Sequence, residues 1–290
     1  MSKLDIAGES VNLTHLNKIM FPEIGLTKAD LIDYYIRMAP HILPYLKNRP
    51  YSMLCFPHGQ SDEAFYQKKR PEGAPDYVAS ISIAHKEKVV DWSLVNNLPS
   101  LVYMVNRYCI EMHAWFSKVG HLNEPDVAIF DLDPPDNAGF SMAVKAALRI
   151  HEILTELKLV HFVKTSGASG LHVMVPIRPT PYEAVRAFLK LVCKLLEQES
   201  PELFTTQRLI EKRKGRIYLD AVQNGRGKTL PSPYSIRATP TATVSTPVTF
   251  EELPRIAPKN FTVKNIESHL KKVGDLLEPF YTCSQALPEL

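Results

Sequence analysis

The stretch from residue 126 to residue 222 constrains the fold most, because apolar runs and helical periodicity alternate there in a fixed order. Asp126 to Asp133 (DVAIFDLD) is a β-rich apolar run stopped by Pro134-Pro135, so it reads as a buried strand. Residues 140–158 put Met142, Val144, Ala147, Ile150 and Leu154 on one helical face. Residues 160–165 (VHFVKT) and 171–177 (LHVMVPI) read as strands joined by the turn SGASG. Thr180-Pro181 opens a helix to about Glu199, since proline is tolerated at the first helical position. Residues 216–222 (RIYLDAV) form a further strand. The order is β-α-β-β-α-β, a split βαβ unit. Its first and third strands are expected as central neighbours, with the fourth against the first.

The remaining sequence is less regular. Residues 27–46 read as two helical pieces, with Thr27 as a cap and Pro40 as the break. Residues 51–57 and 86–92 read as strands, and the turn-rich stretch 58–79 between them as a surface loop. Asn97 to Arg107 is expected to be helical, and Cys109 to Phe116 extended. Thr262 to Pro279 is amphipathic and is expected to form a helical lid on the core. With 45% apolar and 22% charged residues over 290 positions, a mostly disordered chain is excluded. No apolar run approaches the ~20 residues that span a bilayer, and no apolar signal core opens the chain. A cytoplasmic, nucleoid-associated protein is therefore expected. Lys plus Arg is 34 against 31 acidic residues, so any nucleic-acid contact must come from local patches rather than bulk charge. The cysteines Cys55, Cys109, Cys193 and Cys283 are far apart, which suits buried free thiols rather than zinc or disulfides.

Asp131 and Asp133 lie two residues apart on one strand and so share a face. Two adjacent carboxylates repel unless a cation sits between them, and hard oxygen ligands suit Mg²⁺ or Mn²⁺. An isolated Asp-x-Asp also fits a helix cap beside a solvated Asp. Asp220 separates these readings: it interrupts an apolar strand expected to pair with the first, where a lone buried charge is costly. Three Asp on adjacent strands make a two-metal phosphoryl-transfer centre. The turn from Ser166 to His172, with Ser169 inside it, offers backbone N–H groups and hydroxyls to an anion; an ordinary hairpin with a satisfied histidine is the bland alternative. The aperiodic segment 220–237 carries Gln223, Arg226, Lys228 and Arg237, and positive charge beside carboxylates suits a triphosphate. His113 by itself reads as a core histidine. Phe65 and Tyr66 precede three cations, a pattern that fits base stacking or a simple hydrophobic anchor. Lys18 and Lys28 flank the start of the first helix, where an anion is favoured.

Together these segments resemble the polymerase domain of LigD proteins in the archaeo-eukaryotic primase superfamily. The resemblance rests on NKIMFPEIGLTKADLIDYY, EMHAW, FDLDPP, TSGASGLH, IYLDAVQNGRGKT and PYSIR, and runs from about Asn12 to Pro254. It implies an α+β fold of primase-polymerase type, with an RRM-like (split βαβ) catalytic sheet and an N-terminal α/β lobe. Within one domain over 1–290, it places that lobe and a 5′-phosphate site in 1–105, the catalytic core in 106–254 and a C-terminal helix in 255–290. It implies a template-dependent nucleotidyltransferase that fills gaps and extends ends in non-homologous end joining, using NTPs or dNTPs with a preference for ribonucleotides. Asp131, Asp133 and Asp220 match metal-binding aspartates for two Mn²⁺ or Mg²⁺ ions. Ser166, His172 and Arg237 match phosphate contacts, His113 a residue near the sugar, and Gln223 a position in the nucleotide site. Lys18 and Lys28 match lysines holding the 5′-phosphate at a gap or double-strand break, and Phe65 and Tyr66 an aromatic pair meeting the template. Two lysines common in the family are replaced by Leu54 and Ser169, and Lys68 or Lys228 stands to compensate. Expected partners are DNA and, as separate chains, Ku and a DNA ligase; no membrane is expected.

Two other readings compete. A haloacid-dehalogenase-type phosphatase also carries Asp-x-Asp after a buried strand, but requires a parallel sheet. A non-catalytic DNA-end-binding module would need none of the three aspartates.

Overall fold

The computed structural model of the chain describes residues 2–85, 88–135 and 139–288. The N-terminal half holds the hairpins β1 (Ser2–Ile6)/β2 (Glu9–Leu13) and β3 (Ile19–Phe21)/β4 (Leu26–Thr27), then helix α1 (Lys28–Leu46). There follow β5 (Tyr51–Cys55), β6 (Phe65–Gln67), the hairpin β7 (Ser80–His85)/β8 (Lys88–Ser93), α2 (Leu98–Asn106) and β9 (Cys109–Trp115). The C-terminal half runs through β10 (Val127–Asp133), α3 (Phe140–Glu156), β11 (Phe162–Thr165), β12 (Leu171–Pro176) and α4 (Tyr182–Glu199). It continues through β13 (Phe204–Thr205), α5 (Ile210–Arg213), β14 (Ile217–Asp220), β15 (Thr229–Pro231), β16 (Pro247–Val248) and α6 (Ile266–Val273).

Two sheets carry the architecture. The larger has the order β13-β14-β10-β12-β11-β16, with β10 antiparallel to both β12 and β14. The smaller has the order β15-β9-β5-β6. It is built across the chain: β15, from the C-terminal half, pairs with β9, and β9 with β5.

Strand β10 is the shared wall. Side chains alternate across a strand, and here the two sets enter different cores. Ala128, Phe130 and Leu132 pack with α3 and α4 through Ala147, Ile150, Val185 and Leu189. Val127 and Ile129 join the core built by α1, α2 and the smaller sheet. By the same alternation Asp131 and Asp133 face the smaller sheet's side.

Several elements differ from the sequence reading. Helix α1 is continuous through Pro40 and Pro44 rather than broken at Pro40. Two backbone donors are lost, but the buried stripe Leu31, Tyr35, Met38, Ile42 and Tyr45 holds the helix on the core, and a complete Thr27–Asp30 capping box starts it. Within the stretch read as a loop, Phe65–Gln67 adds an edge strand to β5. The strand read at 86–92 is the second arm of a hairpin, Lys88–Ser93; Lys86 and Glu87 lie outside the described residues. The helix read over 262–279 extends only over Ile266–Val273, because Gly274 turns the backbone to φ +77. The chain beyond it packs instead, with Phe280 against Tyr45 and Phe162. Cys55, Cys109 and Cys193 are buried free thiols, and Cys283 is half-buried.

Candidate active site

Register places four chemically active side chains in one row. Lys164 on β11 pairs with His172 on β12, His172 with Asp131 on β10, and Asp131 with Asp220 on β14. Their neighbours Val163, Val173, Phe130 and Leu219 all enter the helix-covered core, so the four row residues point the other way. Asp133 extends the row along β10, opposite Tyr218.

The row is electrostatically tense. Burial, then Asp133, then Asp220 push the Asp131 carboxyl up to about 7. Lys164 is buried, donates to Ser245 Oγ at 2.6 Å and lies 2.7 Å from His172 Nδ1. Burial, and then the Arg237 charge, hold its ammonium well below the usual lysine range. Burial and the Lys164 charge keep the His172 imidazole neutral, with its Nε2 3.5 Å from Asp131 Oδ1. A cation drawn among Asp131, Asp133 and Asp220 would relieve their repulsion, and three carboxylate donors suit a hard divalent ion. Among the described residues no three ligand side chains are already closed into a coordination shell, so such an ion has to draw them together.

A prediction follows for the metal-free chain. The folded state holds the Asp131 proton up to about pH 7, whereas an unfolded Asp releases it near ~3.9. Stability should therefore fall as pH rises from about 4 to about 7, by on the order of a few kcal/mol. Thermal midpoints with a chelator should drop between pH 5 and pH 8, and Mn²⁺ should raise the midpoint more at pH 8 than at pH 5. Equal Mn²⁺ shifts at both pH values would sink the assignment.

The turn after β11 lies against this row. Ser166 Oγ accepts from the N–H groups of Ala168 at 3.1 Å and Gly170 at 3.0 Å, which folds the turn on itself. Ser169 is exposed on it. Gly170 is sterically required: an added Cβ would sit 2.3 Å from the Leu132 carbonyl oxygen. At Gly167, with φ +77, a Cβ would meet Arg237 Cγ at 2.6 Å. Arg237 donates from Nη1 to the Ser166 carbonyl at 2.7 Å and from Nε to Glu111 Oε2 at 2.9 Å. It thereby ties the turn of the larger sheet to β9 of the smaller one. His113, two residues along β9, bonds the same carboxylate, and Tyr66 stands edge-on to its ring at 5.9 Å.

Asp131, Asp220, His172, Ser166, Arg237 and His113 are thus gathered in one place. Gln223 joins through its backbone: its N–H donates to Asp220 Oδ1 at 2.9 Å, while its side chain is bonded to the Thr229 carbonyl. Phe65 and Tyr66 are 48% and 58% exposed, an unusual display of two aromatic rings on an edge strand. Lys228 is exposed on the loop after β14. Lys68 lies over the Trp92 ring at 5.5 Å, on the β7/β8 hairpin.

Lys18 and Lys28 form a second cluster. Their Nζ atoms lie 5.3 Å and 4.3 Å from the centroid of the Tyr108 ring. Lys28 is fully buried and donates to the Thr14 carbonyl at 2.7 Å; Lys18 donates to the Pro57 carbonyl. Burial, and then repulsion from Lys18, lower Lys28 to about 8. Two such cations on one ring invite an anion.

Sequence reasoning missed Glu111, Lys164 and Asn224. Each had a signal, a polar residue set in an apolar or tightly turned segment. Glu111 and Lys164 interrupt strands of buried residues, where a charge needs a partner. Asn224 is buried and bonds both the N–H and the carbonyl of Ile129, fixing the loop after Asp220 against β10.

Antiparallel pairing of β10 on both sides does not favour the phosphatase reading, which needs a parallel sheet. The fold is that of a DNA-directed nucleotidyltransferase domain. A family profile described as "LigD, primase-polymerase domain" matches residues 27–277, and the chain belongs to that family. The "Bifunctional non-homologous end joining protein LigD" of Bacillus subtilis is 34% identical over 281 residues, 96% of this chain and 45% of that protein. The "Multifunctional non-homologous end joining protein LigD" of Pseudomonas aeruginosa is 30% identical over 85% of this chain and 30% of its own length. The chain thus spans less than half the length of these relatives. The solved "Polymerase Domain from Mycobacterium tuberculosis Ligase D in complex with DNA" superposes with a TM-score of 0.87 at 28% identity, covering 94% of this chain and 98% of that one. No described helix is long and apolar enough to cross a membrane.

Proposed function

We propose that this chain is a template-directed polymerase that fills gaps and extends DNA ends in non-homologous end joining, with ribonucleotides preferred. The observation that carries this reading is the cross-strand row of Lys164, His172, Asp131 and Asp220 beside the Arg237-braced turn. Carboxylates on one side and cationic or N–H donors on the other suit a nucleoside triphosphate. The strand order β14-β10-β12-β11 supports reading the catalytic sheet as RRM-like. In this proposal, residues 1–105 carry the 5′-phosphate site, 106–254 the chemistry and 255–290 the closing C-terminal segment.

Asp131, Asp133 and Asp220 would hold two Mn²⁺ or Mg²⁺ ions. When bound, such ions activate the primer 3′-hydroxyl and neutralise charge on the triphosphate. The chain's own contribution is to orient. Ser166, Ser169, His172, Gln223, Lys228 and Arg237 surround the phosphates, His113 meets the sugar, and Phe65 and Tyr66 meet the template base. Ku and a DNA ligase are the proposed partners at a broken end in the nucleoid.

Primer extension on gapped DNA with labelled nucleotides and Mn²⁺ tests this. Template-directed addition, faster with ribonucleotides, is expected, and His113→Ala should narrow the sugar preference. A folded chain that extends no primer with either metal would overturn the polymerase reading.

A further inference from the structure

Glu111 sits 4% exposed in the middle of β9, and three donors converge on its carboxylate. Oε2 accepts from His113 Nε2 at 2.7 Å and from Arg237 Nε at 2.9 Å. Oε1 accepts from the Ala238 N–H at 2.9 Å. Burial alone would raise the Glu111 carboxyl, but the hydrogen bond from His113 and the Arg237 charge hold it below its ordinary value. Burial also lowers the His113 imidazole, so the pair is a carboxylate against a neutral ring. A carboxylate only accepts, so the single proton of that ring must be on Nε2. Nδ1 is then left as a bare acceptor, with the Arg237 and Lys164 charges close to the ring.

We propose that Glu111 is a positioning residue that sets sugar specificity. By taking the Nε2 proton it turns His113 Nδ1 into an acceptor for a nucleotide hydroxyl, while the same oxygen aims Arg237 at the phosphates. The proposal rests on the polymerase reading and on the sugar lying against His113. A ribose hydroxyl donates to Nδ1; a deoxyribose C–H cannot, and leaves the acceptor unpaired. One carboxylate thereby links sugar choice to phosphate grip.

Two variants separate the two tasks. Glu111→Gln keeps one oxygen that His113 can donate to, but loses the charge that holds Arg237. It should raise KM for ribo- and deoxyribonucleotides together and keep most of the sugar preference. Glu111→Met removes every acceptor and should raise both KM values and reduce the ribo-to-deoxyribo ratio of kcat/KM by about 5- to 10-fold, the loss expected for one hydrogen bond. Imidazole ¹⁵N shifts give a readout that needs no activity. The signal lost in His113→Asn should show the Nε2–H tautomer in the parent chain and a mixture in Glu111→Met. An Nδ1–H tautomer in the parent overturns the inference. So does a sugar ratio unchanged in Glu111→Met while both KM values rise, and so does a parent that extends primers without sugar preference. A parent that extends no primer sinks the polymerase reading, and the tautomer still decides the role of Glu111.

Discussion

Replacing Asp131 or Asp133 by Ala should abolish nucleotide addition and leave DNA binding almost unchanged. The two carboxylates share the face of β10 that meets Asp220, and the Asp131 carboxyl is raised to about 7 by burial and by the other two. Removing either takes away a ligand for the ions that would stabilise charge on the triphosphate. Metal-assisted charge stabilisation is worth several kcal/mol, so the rate should fall by at least about a thousandfold. DNA affinity comes mainly from cations on phosphates, and neither Asp supplies one. The fold should survive, since the change removes repulsion rather than a packed apolar group. The measurement is primer extension beside DNA binding at one salt concentration. Extension at the parent rate in either variant would refute the metal assignment.

Gapped DNA with a downstream 5′-phosphate should bind more tightly than the same DNA with a 5′-hydroxyl, and Lys18→Ala with Lys28→Ala should erase the difference. Both ammonium groups lie on the Tyr108 ring, and Lys28 is lowered to about 8 by burial and then by Lys18. A phosphate dianion held beside Lys18 would offset that repulsion, with the buried Lys28 charge adding to the attraction. A charge-assisted contact contributes ~1.5–3 kcal/mol, so the preference should be about 10- to 150-fold. It should fade as pH rises through about 8, where Lys28 loses its proton. Extension on simple primer-templates should change little in the double variant. Persistence of the 5′-phosphate preference would move the site elsewhere, with Lys68, Lys69 and Arg70 as the next candidates.

The regular part of the chain was legible because its physics is local. The β10 run, the α3 stripe, the proline that opens α4 and the SGASG turn each follow from periodicity or from proline and turn chemistry. Asp131 and Asp133 stood out as carboxylates at the end of a buried strand, and Asp220 as a carboxylate inside an apolar one, though β14 in fact ends at Asp220. Harder to see was what depends on distant partners. The two prolines in α1 announce a break that tertiary packing overrides. Strand β15 is too short to show a period, and only its pairing with β9 makes it a strand. Glu111 and Lys164 stand out as charges in buried strands, but which partners they take is settled only when Arg237, His113, His172 and Ser245 are brought to them across the chain.

The clearance at Gly170 limits how such a site can change over time. The turn and the carboxylate-bearing strand lie closer than a methyl group allows, so a side chain at Gly170 would force one of them to move. Remodelling the turn at Gly170 would press on Leu132, between the two aspartates, at the same step. The edge of the smaller sheet is more open: Tyr66 and Phe65 are exposed there, and Leu54 is only half-buried beside them. Change in chains of this kind should therefore accumulate on that opposite side, while Gly170 and the strand it abuts stay fixed.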